Sequence, residues 1–246
     1  MAKIRPNQRT LSQRLHDELE EMIAAASPGD QLPTEPDLAK QLGVSRATLR
    51  EAMRTFETQG FLLRRQGIGT FVVRPTHVLE TGLEVLESID TIAQRKGLQV
   101  SLKKLSLEHR AASEDECEIL SLDPGCKVLS VSRVIMSEGR PVAYLVDILP
   151  DGMLAPEEIG DDFSGSVLDL LLERGTPQLV NSHCEIAAVA ADPIISRALQ
   201  IQRGDAILKF SARLFALDGA VVDCTFSYFL PGYFHFHIVR RVGNNL

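Results

Sequence analysis

From Leu32 to Val73 the residue pattern changes period, and that change leaves few ways to fold. Thr34-Glu35-Pro36-Asp37-Leu38-Ala39 predicts the start of a short helix. Thr34 is a good N-cap, Asp37 follows three residues on in the manner of a capping box, and Pro36 falls in the first turn, where a missing N–H costs nothing. The helix is expected to run to about Leu42. Gly43 ends it, and Ser45 caps a second helix from Arg46 to about Gln59. Two helices joined by a few residues around a glycine make a helix-turn-helix. After Gly60 the residues read as strand, glycine turn and strand, which is a hairpin. A hairpin directly after the second helix is a wing. Upstream, Leu11, Leu15, Leu19, Met22, Ile23 and Ala26 share one helical face, with Ser12 available as a cap and Ser27-Pro28-Gly29-Asp30 as a stop.

Arg46, Arg50 and Arg54 are spaced four apart and line one face of the second helix, while Leu49, Met53 and Phe56 face inward. Each guanidinium is a fork of donors matched to guanine O6/N7 or to phosphate. The N-terminal residues of such a helix reach base edges, which favours Arg46, Thr48 and Arg50 over Arg54. On charge alone the same face could be merely solvated, with Glu51 and Glu57 as partners. The hairpin shifts the balance. Arg64, Arg65 and Gln66 stand beside Gly67 and Gly69, where a backbone can come close to a phosphate or a minor groove.

The net charge of -7 looks wrong for a nucleic-acid binder, but it is unevenly spread. Residues 1–76 hold 11 Lys and Arg against 9 Asp and Glu, and residues 77–246 hold 15 against 24. Salt screens charges beyond roughly 10 Å, so one face can meet phosphates while the rest is acidic. No stretch approaches the ~20 apolar residues of a membrane span. The polar start MAKIRPNQRT lacks the apolar segment of a signal peptide, so a cytoplasmic protein is expected. Cys117, Cys126, Cys184 and Cys224 form no CxxC pair and are read as reduced, with no metal and no cofactor.

The second half has a different texture. Residues 76–82 read as a linker between a domain at 8–75 and another at 83–246. A helix is expected from Leu83 to Lys96, strands at Val100–His109, Val128–Ile135, Val142–Leu149, Ile207–Phe215 and Val221–Phe229, and helices at Glu114–Leu122 and Ser166–Glu173. The class is α+β in two domains, the second with a mainly antiparallel sheet. His235 and His237 alternate with Phe234 and Phe236 on one strand face. A metal site there would need a third ligand such as His183, and structural histidines are the simpler reading. No nucleophile elbow, paired carboxylates, metal set or phosphate loop is present, which argues against an enzyme.

The run LPTEPDLAKQLGVSRATLREAMRTFETQGFLLRRQGIGTFV resembles the winged helix-turn-helix of GntR-type bacterial regulators, over roughly residues 11–74. The resemblance implies operator DNA contacts at Thr34, Ser45, Arg46, Thr48 and Arg50 and a wing contact near Gly67. Arg54 and Gln66 join the candidate set from the reading of the residues. One departure stands out: the family usually has Arg where this chain has Pro36.

The stretches RKGLQVSLKKLSLEHR, LSLDPGCKVLSVSRVIMSEGRPVAYLVDILP and VVDCTFSYFLPGYFHFHIVRR resemble the UTRA effector domain of the HutC-like subfamily. That implies a chorismate-lyase-like fold binding a small metabolite, and a homodimer on a palindromic operator. Arg133, alone in an apolar strand, would pass as a half-exposed strand residue, but the resemblance makes it an anion-binding position. Ser164-Gly165-Ser166 precedes a helix whose free N–H groups suit an anion, or simply cap it. The candidate effector set is Arg133, Tyr144, Asp147, Ser164, Ser166, Asp223 and Tyr228. The usual Arg-x-Arg is here Arg133-Val134-Ile135, so the second Arg is lost. A doubly charged phosphate prefers two guanidinium groups. The expected effector is therefore less strongly anionic than a sugar phosphate: a carboxylate, nucleoside-like, amino-acid-like or sugar-derived metabolite.

Overall fold

In the first unit a capping box starts the first helix among the described residues, α1 (Leu11–Ala25). The cap is Thr10, one step before the region read as the start: its hydroxyl accepts from the Gln13 N–H at 3.2 Å, and the Gln13 side chain accepts from the Thr10 N–H at 2.9 Å. The computed structural model describes residues 10–58, 60–65, 67–73, 79–160, 163 and 165–239, and it divides into units spanning 1–76 and 77–246. Helices α2 (Glu35–Gln41) and α3 (Arg46–Thr58) follow as expected, then the wing strands β1 (Leu62–Arg65) and β2 (Gly69–Val72), paired antiparallel.

Leu15, Leu19 and Ile23 of α1 pack against Leu38 of α2, Leu49, Met53 and Phe56 of α3, and Leu62 and Val72 of the wing. His16 stacks on Phe56 with ring centroids 4.7 Å apart. Each such fully buried side chain contributes about 1.5–3 kcal/mol, so the inward face of α3 holds its outward face in place. Gln31 bridges to Phe71, and its Nε2 donates to the Ile68 carbonyl at 2.9 Å beneath the wing. Gly69 makes room for this: a Cβ there would lie 2.2 Å from Gln31 Nε2.

The second unit is built on a six-stranded antiparallel sheet in the order β4-β5-β6-β9-β8-β7. These strands are β4 (Val100–Ala111), β5 (Lys127–Ser137), β6 (Arg140–Pro150), β7 (Leu179–Ala190), β8 (Ala206–Ala216) and β9 (Val221–Phe229). A separate parallel pair joins β3 (Leu79–Gly82) to β10 (Phe234–His237). Residues 79–82, read as linker, are therefore a strand of this unit. The helix expected from Leu83 is only α4 (Ile89–Arg95), because Ser88 caps it by accepting from the Thr91 N–H at 2.9 Å. The remaining helices are α5 (Glu114–Leu120), α6 (Val167–Arg174) and α7 (Pro193–Leu199).

Strand alternation divides the sheet into two faces. On one, Leu129 and Val131 of β5, Leu149 of β6 and Leu214 of β8 pack against Val167 and Leu171 of α6. On the other, Val128, Ile148 and Cys224 pack against Leu120 of α5. Arg133 is in phase with Leu129 and Val131, so it belongs to the α6 face.

Candidate functional site

The glycine turn after α2 leaves the start of α3 uncovered. Ser45 accepts from the Thr48 N–H at 3.1 Å, and the two hydroxyls lie 2.8 Å apart, which orders the first turn. Ser45, Arg46 and Arg50 are exposed and Thr48 is half-buried at this end. Arg54, further along, is half-buried and lies 3.7 Å from Glu51. Thr34 is exposed and stands at the N-cap position of α2. It makes no capping hydrogen bond; its hydroxyl instead donates to Asp37 Oδ2 at 2.5 Å, which corrects the expected capping box. Gly67 lies at the exposed wing tip with φ +76°. Gln66 falls outside the described residues.

Glu35, placed by the sequence only in a helix start and not among the candidate site residues, ties these elements together. Its Oε2 accepts from Arg50 Nε at 2.7 Å, and its Oε1 accepts from Arg64 Nη2 on the wing. One carboxylate, with its side chain 14% exposed, thus joins α2, α3 and β1. The signal in the chain was slight: an acidic residue in the first turn of a helix, where the dipole favours negative charge. Nothing in that position alone points to two arginines further along. Pro36, exposed in the same turn, brings no guanidinium to this surface.

In the second unit, β5, β6 and β9 lie side by side, and the register sets Val131 opposite Asp147 and Asp147 opposite Thr225. Arg133 Nη1 donates to Asp147 Oδ2 in a buried ion pair. The Thr225 hydroxyl lies 3.3 Å from Asp147 Oδ1 and 3.0 Å from Asp223 Oδ2. Arg133, Asp147 and Asp223 are 4%, 3% and 2% exposed. Among the buried polar side-chain atoms described, Arg133 Nε and Asp223 Oδ1 have no hydrogen-bond partner. Burial pushes the Asp223 carboxyl well above its ordinary range, and neighbouring Asp147 pushes it further.

Two helix starts lie near this cluster. Ser166 caps α6, accepting from the Asp169 N–H at 3.0 Å, and Asp169 in turn accepts from the Ser88 hydroxyl at 2.6 Å, which ties α6 to α4. Asp90 of α4 is raised by burial, while Arg133 pulls it down and Asp169 pushes it up. Gly165 sits between them; a Cβ there would lie 3.7 Å from Asp90 Oδ2 and 3.7 Å from Leu102. Ser164 falls outside the described residues.

Tyr144 and Tyr228 are not brought to this cluster. They stand opposite each other in register and stack at 6.1 Å, on the other face of the sheet from Asp147. Grouping them with Arg133 is therefore corrected. The reason is parity: Asp147 is three positions beyond Tyr144 and Tyr228 five positions beyond Asp223, and odd spacing on a strand reverses the face.

His235 and His237 are exposed, their ring centroids 6.4 Å apart, and His183 contacts Arg213 at 3.2 Å. Among the described residues no group of three or more His, Cys, Asp or Glu is placed to hold a metal, and the four cysteines are unpaired. No helix among them is long and apolar enough to cross a membrane.

A winged helix-turn-helix followed by a six-stranded α+β domain defines a two-domain transcription regulator. The chain belongs to the gntR family of bacterial regulatory proteins, whose pattern matches residues 11–72, and residues 95–235 match the UTRA domain. It is 30% identical over 189 residues to the histidine utilization repressor of Pseudomonas putida, covering 76% of this chain and 73% of that one. It is 25% identical to the transcriptional repressor NagR of Bacillus subtilis, covering 80% and 79%. The crystal structure of PhnF from Mycobacterium smegmatis shares the fold with TM-score 0.63 at 23% identity, covering 93% of this chain and 100% of that one. The Pseudomonas and Bacillus relatives are named as repressors, not as enzymes.

Proposed function

We propose that this chain is a metabolite-responsive repressor that binds a palindromic operator as a homodimer in the bacterial cytoplasm, with residues 8–75 on the DNA and residues 83–246 holding the effector and the dimer contacts. The observation that carries the DNA half is the uncovered first turn of α3. Arg46 and Arg50 are exposed there beside Ser45 and Thr48, with the Arg64 strand of the wing tied to Arg50 through Glu35. Arg46, Thr48 and Arg50 reach base edges, while Thr34, Ser45, Arg54, Gln66 and Gly67 meet phosphates. In a dimer the two α3 helices enter major grooves about one helical turn, roughly 34 Å, apart. The effector, a small metabolite, binds around Arg133, Asp147, Asp223 and Ser166. It shifts the population between dimer arrangements that match that spacing and ones that do not.

The test is an electrophoretic shift on the DNA just upstream of the chain's own gene, at fixed salt, with pooled metabolites added. A specific complex that one pool dissolves is the expected result. An effector that binds tightly and leaves operator affinity unchanged would refute the coupling.

A further inference from the structure

The buried cluster around Arg133 carries an imbalance of charge and two unused polar atoms. Its one guanidinium is already engaged by Asp147. Two more carboxylates act on that pair, Asp223 on β9 and Asp90 on α4, and a third, Asp169 on α6, stands beside Asp90. Resting on the reading of this domain as an effector domain, we propose that the effector carries a positively charged nitrogen, an ammonium, guanidinium or imidazolium, whose N–H donates to Asp223.

Asp223 Oδ1 is an acceptor with no donor, on a residue that is 2% exposed. Its other oxygen takes the Thr225 hydroxyl, and the same hydroxyl also faces Asp147. A hydroxyl has a single proton, so it cannot satisfy both carboxylates at once. Asp223 shares its proton with Asp147, so the deficit in the cluster is of positive charge. An anionic effector would instead have to displace Asp147 from Arg133 and then lie among the remaining carboxylates, since no second arginine stands beside Arg133 where Ile135 occupies the strand. A cation meets neither obstacle. The remaining donor, Arg133 Nε, serves an uncharged or partly negative oxygen on the same molecule, which orients it.

The proposal carries a proton signature. In the empty cluster Asp223 keeps its proton because burial and Asp147 both disfavour its charge, while Arg133 opposes them. A cation seated on Asp223 replaces that proton, so binding releases it and affinity rises with pH. The charged groups facing Asp223 are Arg133 on β5 and Asp147 on β6; Asp90 on α4 in turn faces Arg133, and Asp169 on α6 faces Asp90.

The experiment uses the full chain. Thermal shifts are measured with a nitrogen-cation set (agmatine, putrescine, ethanolamine, histamine, arginine) and an anionic set (succinate, inorganic phosphate, glucose 6-phosphate). Any hit is then titrated calorimetrically in two buffers of different ionisation heat, and repeated with Asp223→Asn. The expected result is stabilisation by members of the first set, release of about one proton per ligand, and affinity weakened about tenfold or more in Asp223→Asn. Stabilisation by the anionic set alone, by no member, without proton release, or unchanged in Asp223→Asn overturns it. The proton readout needs no variant, so it stands if Asp223→Asn fails to fold. The effector-domain reading fails separately: a cation that binds with proton release yet never alters operator affinity refutes that reading and leaves the charge preference standing. An anion that binds and dissolves the operator complex does the reverse.

Discussion

Arg50 on α3 and Arg133 on β5 both pair with a single carboxylate, yet their side chains are 53% and 5% exposed. The exposed pair with Glu35 is weak in water, about 0–1 kcal/mol, so Arg50 can leave it for a guanine edge or a phosphate at little cost. The buried pair with Asp147 is different. Water has been removed from both groups, and each is tolerable only because the other is there. The same chemistry therefore serves two purposes. At the surface the carboxylate holds a guanidinium ready for another partner; in the sheet it occupies the guanidinium and passes the recognition of a ligand to the neighbouring acid, Asp223.

The sharpest way to break this contrast is to remove each partner in turn. Arg133→Ala leaves Asp147 buried and uncompensated and should cost about 3–5 kcal/mol of stability. The double replacement Arg133→Met with Asp147→Leu should recover most of that loss. Chemical denaturation of residues 77–246 within the full chain measures both. A loss below 1 kcal/mol for the single variant would mean that the pair is hydrated rather than buried.

Next in size is a dependence on pH. Burial and Asp147 raise the Asp223 carboxyl, so the folded protein keeps a proton that the unfolded chain gives up near the ordinary value of about 3.9. The stability this group contributes is full below that value and is lost as pH climbs through the raised folded value. Asp223→Asn should flatten that fall by up to about 1.4 kcal/mol per pH unit. Thermal melts across pH compare the two proteins; parallel curves would contradict the assignment.

Glu35→Gln should have the smallest effect on stability, less than about 1 kcal/mol, because its two pairs are near the surface. Its signature lies in DNA binding. Taking a negative charge from beside the wing should tighten binding to unrelated sequences and leave less discrimination in favour of the operator. Fluorescence anisotropy on operator and scrambled duplexes, over a range of salt, measures this. Unchanged discrimination would reduce Glu35 to a simple surface pair.

The two regions also differ in how far they could be read from the residues. The helix-turn-helix and wing were legible because their signals are local: Gly43 between two helical patterns, Ser45 as a cap, Gly67 and Gly69 between short strands. Glu35 was not, since its partners lie 15 and 29 residues away and only the fold brings them together. In the second unit the central strands β5, β6, β8 and β9 were visible as apolar runs between turns. β7 escaped because Leu179–Ala190 is a largely exposed edge strand whose apolar run, Ile186 to Ala190, is mostly alanine, a weak strand former. β3 escaped because its partner β10 is more than 150 residues on, and nothing local announces a parallel pair. The error over Tyr144 and Tyr228 was of another kind. The information was present, since odd spacing along a strand sends neighbours to opposite faces. Arg133 became a candidate through the family resemblance, since a lone Arg in an apolar strand reads as half-exposed; whether it faced solvent, a ligand or a carboxylate depended on β6, which the strand itself does not reveal.

The central claim is that the exposed arginines of α3 read sequence, and Arg50→Ala tests it most directly. Binding of wild type and variant to the operator and to a scrambled duplex is measured by anisotropy at one fixed salt concentration. A loss of about 1–3 kcal/mol on the operator, with little change on the scrambled DNA, is the predicted result. An equal loss on both duplexes would show that Arg50 holds a phosphate and that the sequence is read elsewhere.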